Sequence, residues 1–141
     1  MSKDLQLPKF QGASATIDFI RIVDRLFDTL NSKSTFDKEY KSVLKKANET
    51  FWRPFLIEAR QYLYELKLGT ISLHSSPRKT AVFGFAATIT SVIALYDTHV
   101  VTGAMSYLAT YRLSQDHIEL AFNVIRSRGR WNNNPTVGQF R

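Results

Sequence analysis

Hydrophobic positions recur at three- and four-residue steps in several separate stretches of this chain. In the first, Ile17, Ile20, Val23, Phe27 and Leu30 alternate with Asp18, Arg21, Arg25 and Asp28. That period predicts an amphipathic helix over Ala15 to Ser32, capped by Ser14 or Thr16. The polar stretch after it, NSKSTFDKEYKSVLKKANET, predicts at most a short helix. In FWRPFLIEARQYLYELKL the helical face returns as Phe55, Leu56, Ala59, Leu63 and Leu66, with Pro54 near the start, where a missing amide is tolerated. GTISLHSSP, residues 69 to 77, reads as a loop. Arg78 to Tyr96 is almost wholly apolar after its first two residues, and a helix apolar all round must be covered on most sides. It is the expected centre of the core. Asp97 to Gly103 reads as a turn and Ala104 to Tyr111 as a further short helix. A last helix starts from Ser114 as N-cap, with Ile118, Ala121, Phe122 and Ile125 as its buried stripe. Asn132 to Pro135 closes it, and Thr136 opens another. No period-two run and no repeat interrupts this pattern, so the predicted class is all-α.

Composition narrows the chemistry more than the architecture. At 141 residues, 44% hydrophobic, the chain suits one domain or a large part of one. The absence of cysteine excludes disulfide scaffolds, thiolate metal sites and cysteine nucleophiles. His74, His99 and His117 have no helical ligand spacing, which argues against zinc. A net charge of +7 is compatible with a solvated basic surface or with a polyanion partner. Residues 1 to 13 read as extended or loop, and MSKDLQLPKFQG lacks the apolar core of a signal peptide. AVFGFAATITSVIAL is too short to span a bilayer, so no membrane is expected and the chain reads as intracellular.

The chemistry concentrates in SQDHIELAFNVIRSRG, Ser114 to Gly129, followed by RWNNNPT. Asp116, Glu119 and Asn123 share one polar face, and Arg126, Arg128 and Arg130 crowd the far end. Acids in a first turn and cations in a last turn complement the helix dipole. The sharper alternative makes the glutamate a divalent-metal ligand facing a phosphodiester, with the arginines on DNA phosphates.

YLATYRLSQDHIELAFNVIRSRGRWNNNPTVGQFR resembles the closing region of P element-type transposases, the family that includes the THAP-domain transposases of animals. LPKFQGASATIDFIRIVDRLFDTLNSKS, FWRPFLIEARQYLYELKL and RKTAVFGFAATITSVIALYD resemble further family blocks, in the same order. The resemblance implies an RNase H-like catalytic domain whose DDE carboxylates bind two Mg²⁺ ions, interrupted by a helical insertion that binds GTP. Residues 1–108 would be the later part of that insertion, and 109–141 the return into the RNase H-like fold with its last catalytic helix. Glu119 stands where the family has the glutamate of the DDE set, as catalytic residue and metal ligand. Asp116, Asp28 and Asn31 would serve the nucleotide; for Asp28 and Asn31 the plain alternative is an exposed helix end with a local Asn cap. Arg126, Arg128 and Arg130 would face transposon-end DNA, or simply solvent. The implied parent activity is cut-and-paste transposition in the nucleus. The remaining aspartates (Asp4, Asp18, Asp24, Asp28, Asp37 and Asp97) fall in predicted loops or helices, whereas the family holds its two other carboxylates on strands. The chain alone is therefore expected to be inactive. A non-enzymatic helical DNA- or protein-binding module, pairing with itself or repressing full-length transposase, is the alternative.

Overall fold

The computed structural model describes residues 12–128 and Gly138. The chain divides into two compact units, Met1–Thr110 and Tyr111–Arg141. Helices dominate: α1 (Ser14–Leu30), α2 (Glu49–Glu65), α3 (Lys79–Tyr96) and α4 (Asp116–Arg128). Among the described residues the all-α expectation holds but for one two-stranded ribbon. Its strands, β1 (Lys67–Leu68) and β2 (Ile71–Ser72), pair antiparallel with Leu68 opposite Ile71. This hairpin lies partly in the stretch predicted as loop. Gly69 at φ 63° supplies the left-handed residue that a two-residue connection needs.

The core of the first unit is built by three helical stripes. Leu26 and Thr29 are buried on α1, with Ile22 and Leu30 packed beside them. The stripe is thus turned away from the predicted one, and Ile20 and Phe27 are exposed. Thr29 faces inward at no polar cost. Its hydroxyl donates to the Arg25 carbonyl at 2.9 Å, and its own carbonyl accepts from the Thr110 hydroxyl at 2.6 Å. Phe27 instead sets its ring edge-on to Phe85 at 5.6 Å. Neither Ser14 nor Thr16 caps α1: Ala13 holds the N-cap position, with no side-chain cap.

Trp52, Leu56, Ala59 and Leu63 face inward on α2 at helical spacing. The helix starts at Glu49, earlier than the sequence suggests, which brings Trp52 into the core against Tyr96 with ring centroids 4.6 Å apart. On α3, Val82, Ala86, Ile89, Val92 and Tyr96 are buried and Val100 extends the same line. The expectation that this helix is covered on most sides is not met. Phe83 is 46% exposed on the opposite side, where glycine, alanine, serine and threonine predominate.

The predicted turn after α3 is a π-helical turn, Asp97–Val101. It makes Lys79–Val101 one 23-residue helical stretch of mean hydropathy 1.4. By length and composition alone this stretch could cross a bilayer, so shortness does not exclude a span; 28% of its most apolar window is buried within the protein. Gly103 then turns the chain at φ 87°. The helix predicted over Ala104 to Tyr111 is replaced by an extended run. Leu108 bridges Leu44 antiparallel through N···O contacts of 2.8 and 3.0 Å. Val43 and Leu44 are fully buried. Thr110 locks the end of this run, contacting the Ser32 amide and hydroxyl at 3.0 Å each besides the Thr29 carbonyl. A 3-10 turn, Thr110–Leu113, follows.

Candidate functional site

Two places carry the residues the sequence singles out, one at the end of α1 and one along α4. At the first, Asp28 is half-buried with its carboxylate 4.0 Å from the Lys41 ammonium. Asn31 is exposed, and its side-chain amide donates to the Phe27 carbonyl at 2.9 Å. Its backbone N–H reaches Phe27 and Asp28 carbonyls at 3.0 and 3.3 Å. Asn31 therefore closes the helix with its own side chain, while Asp28 keeps carboxylate oxygens beyond a single long ion pair.

On α4 the helix begins at Asp116, two residues past the predicted cap. Ser114 is not the cap, and its hydroxyl has no hydrogen-bond partner among the described residues. The Gln115 carbonyl instead accepts from Ile118 and Glu119 amides at 2.9 and 3.0 Å. Asp116, Glu119, Asn123 and Arg126 then fall on one face at steps of three and four. The Gln115 amide donates to the Glu119 carboxylate at 2.9 Å, and the Arg126 guanidinium donates to the Asn123 carbonyl oxygen. The face is thus laced by neutral amides, which hold Glu119 and Arg126 in place without neutralising either charge. Asp116 is exposed. Arg128 closes the helix, while Arg130, the Asn132 to Pro135 turn and the helix predicted from Thr136 lie outside the described residues. The expected buried stripe is open: Ile118 is 60% and Phe122 44% exposed, and Ala121 is exposed too. A unit with one described helix and one 3-10 turn offers that stripe no second layer.

The densest polar constellation is one that sequence reasoning missed. The Arg53 guanidinium donates to Glu49 at 2.8 Å and makes a bidentate contact with Asp97. The Tyr96 hydroxyl donates to the second Glu49 oxygen at 3.0 Å. Arg53 also lies over the Trp52 and Tyr96 rings, 5.3 and 5.4 Å from their centroids. Hydrogen bonding to Arg53 holds the Asp97 carboxyl below its ordinary value, and the same contact raises Arg53. Burial, then the Glu49 hydrogen bond, pushes Tyr96 up to about 12. Glu49 and Arg53 are visible in sequence as an i,i+4 pair. Asp97 is not, because its role depends on the π turn bringing it back to α2. The cluster ties the start of α2 to the end of α3 and has no free acid–base pair, so it serves structure.

The described residues contain no group of three or more His, Asp or Glu side chains able to hold a metal. A complete two-metal centre is thus not furnished by them, and Glu119 with Asp116 would contribute part of one. The end of α1 places a carboxylate acceptor, Asp28, beside the Lys41 ammonium.

Sequence comparison gives these positions a setting. Residues 1–43 match the TNP-like GTP-binding insertion domain, and residues 111–141 match the TNP-like RNase H C-terminal domain. The chain is 31% identical to the human protein DNA transposase THAP9 over 139 residues, 96% of its own length. It spans 15% of the length of that relative. No solved structure matches. The ordered match to two domains of one enzyme family, joined by similarity across nearly the whole chain, makes this protein a member of the P element-type transposases, carrying sequence of their GTP-binding insertion and of their RNase H C-terminal domain.

Proposed function

We propose that the chain supplies the nucleotide-binding insertion and the last catalytic helix of a GTP- and Mg²⁺-dependent DNA transposase, and that it does not transpose DNA alone. The observation that carries this reading is Glu119, an ionisable side chain on an α4 face with Asp116, positioned by Gln115 and without a cation partner among the described residues. It lies within the segment matched to the RNase H C-terminal domain. A carboxylate so held is suited to share a divalent metal with two further carboxylates, which would then activate a water or 3′-hydroxyl for in-line attack on phosphorus. Asp28 and Asn31 serve the nucleotide in the insertion, with Asp116 near the nucleotide or metal. Asp28 accepts from donor groups, and Asn31 offers its side-chain oxygen while its amide caps α1. Arg126, Arg128 and Arg130 add salt-dependent, sequence-independent contacts to transposon-end DNA. The setting is the nucleus.

Calorimetric titration of the chain with GTP and Mg²⁺ tests the insertion half, with Asp28→Ala as the comparison. Binding that weakens at least several-fold in the variant supports the reading. A folded helical chain that binds no GTP would reduce it to a non-enzymatic helical module pairing with DNA or with full-length transposase. Mg²⁺-dependent strand transfer by the isolated chain would contradict the claim of inactivity.

A further inference from the structure

Three surface depressions adjoin one another across the connection between α1 and α2. The first, about 480 Å³, is walled by aromatic rings: Tyr40, Phe51, Phe55 and Tyr62, with Arg25 at one side and Glu58 at the other. Arg25 already lies over the Tyr40 ring at 4.9 Å, and Tyr40 stands 4.8 Å from Phe51 and 4.7 Å from Phe55. Phe51 is 41% exposed. Pro54 has no amide to give the Thr50 carbonyl, and both residues line the same hollow. Phe51 is also a wall of the second depression, about 340 Å³, where Lys38 and Lys45 offset Asp37 and Glu39. Lys45 is in turn shared with the third, about 390 Å³, where it stands with Lys46 and no acid. A ring-lined hollow therefore grades through a mixed patch into a lysine-lined one. Flat faces for stacking beside cations for phosphate are what single-stranded nucleic acid requires, and neither requires a base sequence. Duplex DNA, its bases already stacked, could use only the lysines.

The geometry points to a binding track for single-stranded DNA, with one unstacked base in the Tyr40–Phe51–Phe55 hollow and the adjoining phosphates on Lys45 and Lys46. Its lining residues include neither Asp28 nor Asn31 and none of the arginines of α4. Phe51 is the accessible platform, and Arg25 braces it through Tyr40. Lys46, which lines the third depression, donates to the Val101 carbonyl at 3.1 Å.

Fluorescence anisotropy of the full chain with a labelled oligothymidylate, against a duplex of equal length, tests this. The expected result is preference for the single strand and a roughly ten-fold loss in Phe51→Ala, the scale of one stacked base. Lys45→Gln should reduce the logarithmic salt slope by about 0.7, and Lys67→Gln, at an exposed lysine of β1 that lines none of the three depressions, should leave the single-strand affinity nearly unchanged. Circular dichroism of each variant confirms that the helices persist, and Lys45→Gln keeps the test sound should Phe51→Ala unfold. Four results overturn the assignment: no binding, equal binding of duplex, insensitivity to both groove variants, or release of the oligonucleotide by GTP. The last would make the hollow a free-nucleotide site.

Discussion

The two units of the molecule treat the apolar stripes of their helices in opposite ways. On α3 the line Val82, Ala86, Ile89, Val92 and Tyr96 is buried against stripes from α1 and α2. On α4, Ile118 and Phe122 repeat the same spacing and remain exposed. Periodicity therefore says which residues of a helix belong on a face, and only the presence of other layers says whether that face is filled. The first unit holds its own layers; the described part of the second does not. Residues 111–141 match the C-terminal piece of a larger domain.

The contrast is sharpest in core truncation. Leu56→Ala, at a fully buried position on α2, should destabilise the chain by about 2–5 kcal/mol in chemical denaturation. Ile118→Ala on α4 should change it by less than about 0.5 kcal/mol. A comparable loss at both positions would break the comparison. Next in size is Thr110→Val, which keeps the shape but removes the hydroxyl serving Ser32 and Thr29. With a buried amide and carbonyl left short of a partner, the cost should be about 1–3 kcal/mol.

A smaller effect sits in the clamp between α2 and α3. Asp97 has a folded value below its ordinary 3.8, so it contributes stability that is complete above 3.8 and is lost as pH falls through the lowered value. Tyr96 runs the other way. Its contribution is complete below 10 and disappears as pH rises towards 12, because the unfolded phenol ionises first. Asp97→Asn should flatten the acid limb of the stability curve and leave the alkaline limb in place. Tyr96→Phe should flatten the alkaline one. Both carboxylates of the clamp remain partly in water, so the shifts in unfolding midpoint should be modest. Glu119→Gln should be smaller still, since the amide retains an acceptor for Gln115.

Much of this was legible in the sequence, and the misses have physical causes. The four main helices could be read from the pattern of apolar residues, and three of the five residues predicted for the inward face of α2, Leu56, Ala59 and Leu63, are buried in the core. The face of α1 was misjudged because Thr29 counts as polar until its hydroxyl and carbonyl find partners within the fold. Val43 and Leu44 were hidden in a lysine-rich stretch, since their burial depends on a bridge to Leu108, far along the chain. Leu108 and its neighbours read as helix for the same reason: a long-range strand contact leaves no local period. At the candidate site, the shared face of Asp116, Glu119 and Asn123 followed from spacing. The amide lacing by Gln115 and the clamp through Asp97 did not, because each depends on where a helix starts or how it ends.

The measurement that bears most directly on this account is amide hydrogen exchange on the intact chain. The account predicts slow, cooperative exchange for the core positions of α2 and α3 and fast exchange throughout Ile118–Ile125 of α4. Equal protection of α4 and the core helices would mean that this chain covers the Ile118–Phe122 stripe by itself, and would contradict the division drawn here between a filled unit and an open one.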